Sequence, residues 1–287
     1  MSLEVIIQRY ITVQYYNQNM TTYYRSALVR YDSDFHTTQF IGQISEGIYF
    51  LPLGDKSMDE LSAHIEIPSK GHQIMIWVDQ MLLDHRPNRE KNNEYYHLMQ
   101  KLNIFCKIYI APHCAVLRPS QYKYTALETE LYPTKKSILA HHWDKFSLIY
   151  DKQKLLYRLF AISTIESSDY IFNVMNSTVA LEGLLLQGEK SENSYKFRIR
   201  GAFLLGKSQT SRSKYYQIFK LAYEMRSAIA HANDKEKTRV RNKIKSDLNM
   251  SLKVFNEQLI QLNRVLLQQL AENPHVYDDL DEIVLKA

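Results

Sequence analysis

The sequence predicts an α+β protein: a mostly β N-terminal domain over residues 1–140, followed by an all-α helical bundle over residues 141–287. Three observations predict it. Apolar residues alternate with a period near two in the first half, and after Pro133 they recur every three to four positions. A chain of 287 residues can bury two separate cores. With 45% hydrophobic and 23% charged residues but only 8 Gly and 7 Pro, the composition is globular and contains no low-complexity linker.

The first-half runs are EVIIQRYITVQYY, YRSALVRY, TTQFIGQISEGIYFLPL, HQIMIWVDQMLL and NIFCKIYIAPHCAVL, all rich in Tyr, Ile, Val and Thr and separated by polar residues. One helix interrupts them, PNREKNNEYYHLMQKL at about residues 87–102. Leu53-Gly54-Asp55 and Pro119-Ser120 mark turns. The second half reads as successive amphipathic helices: LLYRLFAI, YIFNVMNSTVALEGLLL, YKFRIRGAFLL, YYQIFKLAYEMRSAIAH and one long final stretch, NKIKSDLNMSLKVFNEQLIQLNRVLLQQLAE. YDDLDEIVLKA follows as a short helix or tail.

Composition also excludes classes. The first residues lack a basic n-region and an unbroken apolar core, and no run of 18 apolar residues occurs, so a cytoplasmic protein without a membrane span is expected. Cys106 and Cys114 are too few for a disulfide framework or a zinc site and read as buried thiols. No metal and no cofactor is expected. The formal charge of +5 is concentrated between Lys207 and Lys245, where basic residues outnumber acidic ones, as on a polyanion-binding surface or a solvated helix face.

Two motifs compete for the chemistry. GAFLLGKS, Gly201 to Ser208, has the spacing of a phosphate-binding loop. Such a loop needs a buried strand before it and small or polar residues inside it; here SYKFRIR precedes, and Ala-Phe-Leu-Leu lies within. A helix ending at Gly206 as a left-handed C′ residue explains the letters better, with Ser211 or Ser213 capping the next helix. The second motif is YEMRSAIAHAN, with Arg226 and His231 five positions apart. On an ideal helix that separation turns the two side chains about 140° apart. Either the helix ends or bends near Ala230, or a second copy of the motif completes the site.

The run from about Leu155 to Glu272 resembles the Apea-like branch of the HEPN domain family. The matching segments come in order: LLYRLFAIST with DYIFNVMNSTVALEGLLL is similar to that family's opening helices, KFRIRGAFLLG to its R-x-A-x-L-L-G helix, and LAYEMRSAIAHAN to its L-R-S-x-I-x-H motif. The resemblance implies a HEPN-type bundle, a homodimer through the helical domain, and a ribonuclease site with Arg226 and His231 as catalytic residues. It implies phage defence or toxin-like growth arrest as the setting. Ser227 stands where the wider family often has Asn, Asp or His. Asn233 stands where targets of partner nucleotidyltransferases carry Tyr.

Those residue types suit metal-independent cleavage of RNA. His exchanges a proton near neutral pH, Arg stabilises charge on a phosphate, and RNA brings its own nucleophile in the 2′-OH, so a 2′,3′-cyclic phosphate end results. Glu182, Arg200, Ser227 and Asn233 are supporting candidates; Glu182 needs a cationic partner, Arg200 or Arg226, and serves either the site or an internal ion pair. His231 and Asn233 also suit a helix C-terminus. Lys196, Arg198, Arg239 and Arg241 are candidates for RNA phosphates or for solvated surface. The N-terminal domain would sense a trigger ligand or protein, or grip RNA on its tyrosines. The alternative function is a non-catalytic dimerisation and RNA-binding module.

Overall fold

The computed structural model describes residues 20–30, 42–45, 48–52, 73–79, 88–116, 123–127, 136–165, 170–187, 189, 193–278 and 280–285. The chain divides into two compact units, one of residues 1–100 and 115–141 and the other of residues 101–114 and 142–287.

The first unit holds strands β1 (Met20–Arg30), β2 (Gly42–Ser45), β3 (Ile48–Pro52), β4 (Gln73–Asp79) and β6 (Lys123–Leu127), with β5 (Cys114–Val116) at its border. They order as β2-β3-β4-β1-β5, and β6 also pairs with β1. β1 runs antiparallel to β4 from Tyr23–Asp79 to Val29–Gln73, and to β6 from Met20–Leu127 to Tyr24–Lys123. Ile44, Ile48 and Phe50 alternate into the interior, as the period-two pattern of this hairpin requires.

The second unit is helical. It takes the C-terminal part of α1 (Asn88–Tyr109) and then α2 (Ala140–Tyr150), α3 (Lys154–Ser163), α4 (Tyr170–Leu185), α5 (Asn193–Leu205), α6 (Gln209–Ala230), α7 (Asp234–Leu248), α8 (Leu252–Glu272) and α9 (Leu280–Leu285). Phe105, Trp143, Phe146 and Tyr157 form one aromatic cluster, with Phe146 edge-on to Tyr157 at 5.1 Å between centroids. Phe197 and Phe219 form another, also edge-on at 5.1 Å. Buried Asn263 ties α8 to α4 by donating from Nδ2 to the Ser177 carbonyl. Arg264 and Gln268 of α8 donate to the Ile108 carbonyl and satisfy the open end of α1. No described helix is long and apolar enough to cross a membrane.

The expected fold class is corrected. Among the described residues helices far outweigh strands, so the described part of the protein is mostly helical and departs from the expected mostly β domain followed by a helical one, the 22-residue α1 falling within residues 1–140. The run NIFCKIY, read as a strand, is the continuation of α1. Leu102, Ile104, Phe105, Cys106 and Ile108 are all buried there, as is Lys107, which donates to the Pro112 carbonyl, and a helix buried on nearly every side leaves no clear 3.6-residue apolar period to read. The expected long final helix is two helices. Asn249 adopts a left-handed conformation (φ 54°) that ends α7, and Ser251 accepts from the Val254 amide to start α8. EVIIQRYITVQYY lies outside the described residues.

GAFLLGKS is the end of α5 followed by the start of α6, which removes the phosphate-loop reading. Its details differ from expectation. Gly206 lies outside the left-handed region; glycine is required because a Cβ would come within 2.7 Å of the Arg212 backbone nitrogen. The N-cap of α6 is Ser208, whose side chain accepts from the Ser211 amide while Ser211 Oγ accepts from the Ser208 amide. Gly201 is needed for close packing, since a Cβ there would sit 2.5 Å from the Phe219 ring.

Candidate functional site

The site begins with how α6 ends. His231 is its C-cap (φ −97°, ψ 11°), so the last residue with helical backbone is Ala230. The Asn233 amide donates to the Ala228 carbonyl at 2.8 Å and the Ala232 amide to the Ile229 carbonyl at 3.0 Å. This bonding pair is a Schellman closure, and it places Ala232 at the C′ position with φ 48°. Asn233 then turns the chain directly into α7, because its Oδ1 accepts from the Glu236 amide at 3.0 Å. The imidazole of His231 is thereby exposed at a one-residue corner, and its ring makes no hydrogen bond among the described residues.

Because an L-residue in the left-handed region is strained where glycine is not, Ala232→Gly is expected to stabilise the protein by about 0.5–1 kcal/mol after the larger chain entropy of glycine is deducted. Urea unfolding followed by helical circular dichroism measures it. An unchanged or lower midpoint would contradict this account of the corner.

A groove of about 260 Å³ opens beside the corner. α5 contributes Ser194 and Arg198, α6 contributes Tyr223, Glu224, Ser227, Ala228 and His231, and Asn233, Glu236 and Arg239 close it from the start of α7. Five sequence candidates therefore meet here: Arg198, Ser227, His231, Asn233 and Arg239. Arg239 is held between two carboxylates, with Nε donating to Glu236 at 2.7 Å and Nη2 lying 3.5 Å from Glu224. Arg198 donates through Nη2 to Ser194 Oγ and makes no ion pair among the described residues; its Nε is buried without a partner.

Arg226 does not line the groove. Its Nη2 lies 3.0 Å from Glu182 Oε2 on α4, so Arg226 and not Arg200 is the partner that Glu182 needs. Burial pushes the Glu182 carboxyl above its usual range, and the charge and hydrogen bond of Arg226 oppose that shift. Glu182 Oε1 is buried without a hydrogen bond. The helix geometry accounts for the separation: Glu224, Ser227 and His231 recur at three- and four-residue steps along one stripe of α6, and Arg226 lies off it.

The remaining candidates sit elsewhere. Arg200 is buried and donates from Nη1 to the Leu185 carbonyl at 2.7 Å, from Nε to Asp281 at 2.9 Å and from Nη2 to Glu189. Lys196 joins the same network, 2.6 Å from Glu189. Hydrogen bonds from Lys196 and Arg200 hold the Glu189 carboxyl below its usual range. These two cations are committed to packing α5 against the end of α4 and against α9. Arg241 is exposed on α7 and does not line the groove.

Ser194, Tyr223, Glu224 and Glu236 belong to the groove and were not among the sequence candidates. Projecting the stripe of His231 back along α6 would have found Glu224. Ser194 and Glu236 depend on how α5 and α7 pack against α6. Among the described residues, no three His, Cys, Asp or Glu side chains gather as metal ligands. Cys106 and Cys114 are buried and form no disulfide. No family model, no curated protein and no solved structure matches the chain.

Proposed function

We propose that the protein is a metal-independent endoribonuclease of HEPN type, acting in phage defence or toxin-like growth arrest. The observation that carries the reading is the placement of His231: an exposed imidazole, freed from α6 by the Schellman closure, in a groove that also holds two guanidinium groups. His231 takes the proton of a ribose 2′-OH, the 2′-oxygen forms a bond to phosphorus, and the bond from phosphorus to the 5′-oxygen breaks. The 5′-oxygen leaves with a proton from solvent, and the other fragment ends in a 2′,3′-cyclic phosphate. Guanidinium groups offset the negative charge that grows on the phosphate oxygens. The ordered HEPN-like segments support the same reading and add a homodimer through the helical unit, RNA as the partner and a cytoplasmic setting.

One observation favours the alternative, a non-catalytic RNA-binding and dimerisation module: Arg226, the arginine that the resemblance makes catalytic, is paired with Glu182 outside the groove. The two readings separate on incubation of the protein with total RNA in EDTA, followed by end-group analysis. Fragments ending in 2′,3′-cyclic phosphate are expected. RNA that is bound and stays intact would establish the binding module instead.

A further inference from the structure

Three arginines lie on or near the groove, and the structure gives them different occupations. Arg226 is neutralised by Glu182 away from the groove, and Arg239 is neutralised inside it by Glu236 and Glu224. Arg198 alone among them has no carboxylate partner among the described residues. It projects from α5, half-buried, into the groove that holds His231, and its bond to Ser194 one turn earlier on the same helix fixes the side chain without cancelling its charge. The bond to Ser194 occupies one N–H of Nη2 and Nε is enclosed by protein, so Nη1 and the second N–H of Nη2, which have no partner among the described residues, are the donors left for an anion.

We infer that Arg198 is the guanidinium that holds the scissile phosphate in the His231 groove, and that Arg226 is a positioning residue acting through Glu182. The inference rests on the ribonuclease reading and refines its site. Arg198 binds the two non-bridging phosphate oxygens through its fork of donors while the 2′-oxygen attacks; the proton goes to His231, and the 5′-oxygen departs protonated by solvent. Tyr223, on the α6 wall that ends at His231, offers a ring to the flanking base. Arg226 and Glu182 anchor the C-terminal turns of α6 to α4 and set the height at which His231 emerges.

The test uses the full chain and two substrates: a cleavable oligoribonucleotide, and the same oligonucleotide with 2′-deoxy substitution, which can bind but cannot react. Arg198→Lys keeps a charge but loses the fork. It is expected to bind the deoxy oligonucleotide within about twofold of wild type and to cleave about 100-fold more slowly, a loss in kcat and not in KM. Arg198→Ala should lose cleavage by at least as much and bind more weakly, with a shallower salt dependence; Lys253→Ala, an exposed cation on α8, is the control. If wild type cleaves and Arg198→Lys cleaves as fast, the inference fails while the ribonuclease reading stands. If wild type does not cleave but Arg198→Ala alone loses affinity for the deoxy oligonucleotide, phosphate anchoring by Arg198 stands and the ribonuclease reading fails. A wild-type chain that neither cleaves nor binds overturns both. Should Arg198→Ala not fold, Arg198→Lys decides.

Discussion

Replacing His231 by Gln is expected to reduce RNA cleavage by about 10²–10⁴-fold, the usual contribution of a positioned general base. The fold should not notice. His231 is exposed and contributes its backbone to the α6 cap, while its ring bonds nothing among the described residues, so the expected change in stability is within about 0.5 kcal/mol. Gln keeps the size and hydrogen-bonding capacity of the side chain and removes only its ability to take a proton. The measurement is single-turnover cleavage in EDTA beside a thermal melt of the same preparation. Cleavage that survives this substitution would remove His231 from the chemistry and the ribonuclease reading with it.

The largest loss of stability is expected at Arg200. Arg200→Met preserves the volume of the stem but strips the buried Leu185 carbonyl of its donor and leaves Glu189 paired with Lys196 alone, and an orphaned buried acceptor costs about 1–3 kcal/mol. Asp281, more exposed, loses less. The pH dependence follows from Glu189. Its folded pKa lies below the unfolded value, so its contribution is complete above the ordinary glutamate range and is lost as the pH falls through the lower, folded value. In Arg200→Met part of that acid sensitivity disappears. Urea midpoints of wild type and variant at neutral and acidic pH measure both effects; a variant as stable as wild type would mean that the network is ornamental.

Legibility in the sequence followed the range of the interaction that decides each feature. The helices after residue 140 rest on local amphipathic periods, and α4 and α5 lie where those periods put them, while α6 starts earlier than its period, at Gln209. The C-terminal part of α1 was missed because burial on nearly every side erases the period that would have distinguished helix from strand. The break at Asn249 carried a local signal, an Asn followed two residues later by a capping Ser, and it was overrun by the strong apolar rhythm on both sides. In the site, the 140° separation of Arg226 and His231 was a property of helix geometry alone, and the structure keeps the two apart. That Arg198 enters the groove while Arg200, two residues later, ties α5 to α9 depends on contacts far apart in sequence, and no spacing rule reaches them.

α7 carries one wall of the groove on very little. Of its 15 residues only Val240 and Ile244 are buried, whereas α8 buries ten side chains. The free energy that docks α7 therefore rests chiefly on Val240 and Ile244, about 1.5–3 kcal/mol each, with smaller contributions from its end caps and surface ion pairs. A helix docked on two aliphatic side chains is expected to open at a lower free energy than the α4, α6 and α8 core, which hydrogen exchange of the α7 amides would show as weaker protection. The groove is then bounded on one side by packed core helices and on the other by a helix that only two fully buried side chains dock.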